Sequence, residues 1–110
     1  MRRAIPTALA VLLAAGGASP AAHAAEADGK ALYEANCGKC HGVTGQADTA
    51  VGKAMKAASL HDPKLAAADG PDLVVKHVRN DAKHASVSKS LKDSDLQAIA
   101  AFVQRLAAGK

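Results

Sequence analysis

The chain has 110 residues, the length of one small domain. Its 14 Lys and Arg residues outnumber its 10 Asp and Glu residues and give a formal net charge of +4, but only 2% of the residues are aromatic. Because proteins that bind single-stranded nucleic acid stack bases on aromatic side chains, this composition argues against a nucleic-acid-binding protein.

The first 24 residues have the pattern of a cleaved secretory signal peptide. The chain begins with a basic Met-Arg-Arg, continues with an uncharged apolar run at residues 8–15, and then has Ala22-His23-Ala24, a small-x-small cleavage pattern. The apolar run is too short to span a bilayer, so a retained membrane anchor is the less favoured alternative. We expect cleavage after Ala24, a periplasmic location, and a mature domain of residues 25–110 without stable membrane insertion.

The mature chain has few large apolar side chains for a domain of its size. Its aromatic residues are Tyr33 and Phe102, and alanine supplies much of the apolar content. Alanine buries little area, and a domain this short is marginally stable even with an ordinary core. A large apolar prosthetic group would complete such a core.

The first two predicted helices flank a cysteine motif. Residues 29–36 have apolar side chains on one side, with Asp28 placed as the N-cap, so residues 25–28 are expected to be a short leader. After a glycine-containing loop, residues 49–59 predict a short helix that ends before His61-Asp62-Pro63.

Two further helices are predicted in the second half of the chain. Gly70-Pro71-Asp72 is a good helix start, because proline is tolerated in the first turn and aspartate complements the helix dipole. Residues 80–90 are polar and lysine-rich and are predicted to be irregular. The last helix begins near Asp93 and has apolar residues at helical spacing: Leu96, Ile99, Phe102, Val103 and Leu106. No strand pattern is present, so the predicted fold class is all-α.

Cys37-Gly38-Lys39-Cys40-His41 has the C-x-x-C-H spacing of c-type haem attachment. Two thiols at this spacing can reach the two vinyl groups on one porphyrin edge, and the following histidine can coordinate the iron. A thioredoxin-like pair would need a βαβ context, a structural zinc site would need a second ligand pair, and a plain disulfide would close only a tiny loop. We therefore predict one haem c bound covalently through Cys37 and Cys40, with His41 as the proximal iron ligand.

With these features the mature chain resembles the class I bacterial cytochromes c, small soluble proteins with one haem. In that family a Gly-x-x-x-aromatic helix before the motif crosses the C-terminal helix. Gly29 and Tyr33 match the first helix, and Ile99 and Phe102 match its partner. The resemblance covers most of residues 28–107. It implies a small cytochrome c fold, with crossing terminal helices and shorter helices around one covalently bound haem.

The resemblance does not determine which residue is the sixth iron ligand. The family commonly supplies a methionine shortly before the C-terminal helix, whereas this chain has Lys83-His84-Ala85 there and no methionine after Met55. His84 is therefore the favoured distal ligand. Met55 is the main alternative, although its spacing is typical of a core residue. His77 or an open site are further alternatives, and His61 is expected at the surface.

The resemblance implies a one-electron carrier that is not an enzyme. A second imidazole lowers the reduction potential relative to a methionine ligand, and a filled sixth position leaves no place for substrate. We expect a monomer that docks transiently on redox partner proteins through an exposed haem edge ringed by lysines. The candidate lysines are Lys39, Lys53, Lys56, Lys83 and Lys89. The alternative is a gas-binding or sensory haem protein with a displaceable distal ligand.

Overall fold

The computed structural model describes the backbone of residues 20–110 and the side chains of residues 28–110. Within this part the chain forms α-helices, one 3₁₀-helix and no strand, so the all-α prediction is confirmed. The helices are α1 (Pro20–Asn36), α2 (Gly38–His41), α3 (Ala50–Met55), α4 (Pro63–Ala66), α5 (Gly70–Asn80), the 3₁₀-helix (Ala82–His84), α6 (Ala85–Ser90) and α7 (Asp93–Ala107). None of these helices is long and apolar enough to cross a membrane. Most of the predicted signal peptide, residues 1–19, lies outside the described residues.

The first and last helices, α1 and α7, cross at Gly29. A β-carbon at Gly29 would stand 2.5 Å from the carbonyl oxygen of Ala98, so the close approach of the two backbones requires glycine. Beside the crossing, the rings of Tyr33 and Phe102 pack with their centroids 5.1 Å apart. Tyr33 is fully buried. The predicted crossing of the terminal helices is therefore confirmed.

The helix α5 packs on α7 and completes the core. It begins at Gly70 as predicted, and its Val74 and Val78 are buried against the same cluster as Leu96 and Ile99. His77, a further candidate for the sixth iron ligand, is exposed on this helix. The buried residues of α5 are thus Gly70 at its start and these two valines, which lie four positions apart on one face.

Three predictions about element boundaries are wrong. The helix α1 begins at Pro20, so residues 25–28 are helical and Asp28 lies inside the helix instead of capping it. This alanine-rich stretch has high intrinsic helix propensity. Residues 80–90, predicted to be irregular, form the 3₁₀-helix and α6, since the Asp81 carboxylate caps the first of them by accepting from the Lys83 N–H. The helix predicted at residues 49–59 is shorter, because α3 ends at Met55. The short helix α4 was not predicted.

Candidate functional site

The cysteine motif forms a helical turn directly after α1. The Cys37 N–H donates to the Tyr33 carbonyl at 2.7 Å, and α2 (Gly38–His41) follows. Both cysteines are free and partly buried. Burial, with a smaller effect of Cys40, raises the pKa of the Cys37 thiol to about 11, so Cys37 is neutral near pH 7. The Tyr33 hydroxyl donates to the Gly42 carbonyl at 2.7 Å and thereby ties the end of the motif to the core.

The N-terminus of α3 packs against the motif. The Thr49 hydroxyl lies 2.8 Å from the Lys39 carbonyl oxygen and 3.1 Å from that of Cys40, and it accepts from the Gly52 N–H at 2.9 Å. Gly52 approaches the Cys40 carbonyl so closely that a β-carbon would overlap it. The Thr49 hydroxyl therefore caps α3 and also lies within hydrogen-bonding distance of two carbonyls of α2. It thereby joins the two helices.

The imidazole of His41 is oriented by a backbone carbonyl. Its Nδ1 lies 2.8 Å from the Ala58 carbonyl oxygen. A carbonyl can only accept, so Nδ1 is the donor, and in the neutral ring Nε2 is the nitrogen with the free lone pair. Histidines that bind metals commonly have such a partner on the second nitrogen. The sequence could not identify Ala58, because the partner is a main-chain atom 17 positions away.

His84 lies opposite His41, and the two rings are nearly parallel. Their centroids are 6.2 Å apart and their planes differ by 6°. A metal–imidazole bond is about 2 Å long, so two imidazoles on opposite sides of one metal ion have centroids about 6 Å apart. The centroid spacing of the pair therefore matches that of two imidazoles on one iron ion, as the haem prediction requires. Iron ligation by His41 and His84 stays a prediction that this spacing supports.

The environment of His84 favours a neutral imidazole. Burial lowers its pKa, and the nearby His41, His77 and Lys83 act in the same direction, while the Asp81 carboxylate opposes them. A neutral ring is the form that binds a metal. Its Nδ1 atom is buried and has no hydrogen-bond partner, although Asp81 Oδ2 lies 4.0 Å away.

The other candidate ligands lie in more exposed positions. Met55, expected to be a core residue, has 48% of its surface exposed at the end of α3, where its carbonyl oxygen accepts from Lys83 Nζ at 3.2 Å. His61 is exposed as expected, with Nε2 2.6 Å from the Thr44 carbonyl oxygen. The structure places His84 near the Cys37–His41 motif, with its imidazole parallel to that of His41.

Arg79 holds the end of α6, the helix that follows His84, and no sequence pattern indicates this role. Its guanidinium donates to the Ser88 carbonyl at 2.5 Å and hydroxyl at 3.1 Å, and to the Leu91 carbonyl at 3.2 Å. It also pairs with the Asp93 carboxylate at 2.8 Å. The partners lie 9 to 14 positions away, so only the folded chain reveals them. Arg79 thereby fastens the end of α6 and the start of α7 to α5.

Comparison with known proteins gives one family match. The family described as cytochrome c oxidase, cbb3-type, subunit III matches residues 24–103, which include the cysteine motif, His84 and most of α7. Neither the curated proteins nor the solved structures include a significant match to the chain.

Proposed function

The chain belongs to this family of c-type cytochrome domains, and we propose that it is a periplasmic monohaem protein that carries single electrons between redox partners. Family membership implies covalently bound haem c with its iron, haem-based electron transfer, and redox partner proteins. The observation that carries the finer proposal is the parallel pair of His41 and His84 imidazoles, 6.2 Å apart.

Residues of the cysteine motif and of the turn at His84 would together hold the haem. Cys37 and Cys40 would form the two thioethers, and His41 and His84 would bind the iron through Nε2. When bound, the haem supplies a reversible Fe(III)/Fe(II) couple. The Ala58 carbonyl fixes the ring of His41, and Arg79 fixes the end of α6, the helix that follows His84. With His41 and His84 both bound to the iron, no position would be left for a substrate, which favours electron transfer over catalysis.

The proposed docking surface surrounds α3. Val51 is 38% exposed and Met55 48% exposed, and Lys53 and Lys56 lie beside them on the same segment. Lys83 reaches this surface through its bond to the Met55 carbonyl. A small apolar patch with lysines around it suits brief contact with an acidic partner, because charge raises the encounter rate more than the affinity.

The test of this function uses protein produced with a c-type maturation system. We expect one haem per chain that stays with the polypeptide in acidic organic solvent, and a redox titration that follows a one-electron curve. The ferrous protein should bind carbon monoxide only slowly, because His84 must first leave the iron. Extractable haem would contradict covalent attachment. Rapid, complete carbon monoxide binding by the wild-type protein would favour the gas-binding alternative.

A further inference from the structure

The two histidines of the site differ in what holds their second ring nitrogen. His41 Nδ1 has the Ala58 carbonyl at 2.8 Å. His84 Nδ1 is buried but has no hydrogen-bond partner. A buried N–H without a partner costs about 1–3 kcal/mol, so almost all such groups in folded proteins find an acceptor.

A carboxylate stands next to this nitrogen. Asp81 precedes His84 by three residues, and its Oδ2 lies 4.0 Å from His84 Nδ1. The turn holds the carboxylate in place, because Oδ1 accepts from the Lys83 N–H at 2.8 Å and the Asp81 carbonyl accepts from the His84 N–H at 3.0 Å. A shift of about 1 Å would turn the Oδ2–Nδ1 contact into a hydrogen bond.

From this geometry we infer that Asp81 is the positioning residue for His84, accepting a hydrogen bond from its Nδ1 and strengthening its Nε2 as a donor to iron. The inference rests on the proposed function, in which His84 is the sixth ligand. A carboxylate partner makes an imidazole more basic than a carbonyl partner does. The chain would therefore hold the ring of His41 with a neutral acceptor and that of His84 with an anionic one.

Stronger electron donation by His84 should change the reduction potential of the iron. Electron donation by an axial ligand stabilises Fe(III) relative to Fe(II), as does a nearby negative charge. Asp81 should therefore lower the potential of the site. An asparagine at this position would keep an acceptor for the Lys83 N–H, so the turn would survive while the charge is lost.

The experiment compares Asp81→Asn with Asp62→Asn in the holoprotein. Asp62 is a matched control: it is an exposed aspartate whose Oδ1 caps α4 by accepting from the N–H of Lys64, again a lysine two residues later. At a fixed ambient potential, Asp81→Asn should lower the ratio of oxidised to reduced protein about tenfold, which corresponds to a rise of about 59 mV. The Asp62→Asn variant should change this ratio less than about twofold, because it removes the same charge from a carboxylate that caps α4 and is not paired with His84.

A second measurement uses the wild-type protein and does not depend on the variant folding. In the reduced, diamagnetic state, the Nδ1 proton of His84 should give a downfield nuclear magnetic resonance signal that exchanges slowly with water. A fast-exchanging proton, or equal shifts in potential for the two variants, would overturn the role of Asp81. Those results would leave haem attachment and the sixth ligand intact, whereas failure of the proposed function would appear as extractable haem or an open iron in the wild-type protein.

Discussion

Replacing Arg79 by methionine should destabilise the segment that runs from α6 to the start of α7. Methionine keeps an unbranched apolar stem of similar length but removes every hydrogen bond of the guanidinium. Three of these bonds are partly buried and end on Ser88 and Leu91, while the fourth joins Asp93, whose side chain is 96% exposed.

The expected loss follows from these contacts. At about 1 kcal/mol net for each partly buried hydrogen bond, the three bonds to Ser88 and Leu91 contribute about 3 kcal/mol to the free energy of unfolding. The exposed pair with Asp93 adds less than about 1 kcal/mol. Most of the effect therefore comes from the carbonyl and hydroxyl groups at the end of α6, and little from the ion pair.

Denaturation of the holoprotein by guanidinium chloride, followed by circular dichroism, measures this loss. Asp93→Asn is the matched control, since it removes only the ion pair and should cost less than about 1 kcal/mol. In Arg79→Met, His84 should also leave the iron more readily, which is seen as faster carbon monoxide binding to the ferrous protein. Equal stability of the two variants would refute the assignment of Arg79 as the anchor of this segment.

Three other changes test the packing around the site by denaturation and circular dichroism. Gly29→Ala should destabilise the fold by about 1–3 kcal/mol, because its methyl group meets the Ala98 carbonyl, and an unchanged stability would contradict the close crossing. Lys56→Gly should stabilise the fold by up to about 1 kcal/mol, since Lys56 has a φ of 56° at the end of α3, and a loss of stability would show that its side chain matters more than its backbone. The Cys37→Ala/Cys40→Ala protein, without attached haem, should have little stable helix, and a cooperative unfolding transition there would show that the alanine-rich helices suffice.

The long helices could be predicted from the sequence because their signals are local. Gly70-Pro71-Asp72 begins α5 as predicted, and the apolar spacing after Asp93 marks α7. The Gly29–Tyr33 pattern, read through a family resemblance, predicted the crossing of the terminal helices. In each case a repeat of apolar residues or a turn residue lies within the element itself, so no knowledge of distant contacts is required.

Several short elements, unlike α3, and the supporting contacts could not be predicted. Helices such as α4, with four residues, are too short to show a helical period, and their formation depends on caps and packing. The Ala58 carbonyl carries no side-chain signal at all. Arg79 looked like an ordinary charged residue, because its partners come close only after α5, α6 and α7 have packed. The family's usual ligand position predicted the pairing of His41 with His84, whereas the distance between the two imidazoles is seen only in the structure.

The most direct test of the account is the identity of the sixth iron ligand. The ferric wild-type protein should be low-spin and should lack the near-infrared sulfur-to-iron charge-transfer band of methionine ligation. His84→Ala should open the iron, so that the ferrous protein binds carbon monoxide readily, while Met55→Leu should leave the spectrum nearly unchanged. If Met55→Leu opens the iron and His84→Ala does not, then Met55 is the ligand and the account of the paired imidazoles is wrong.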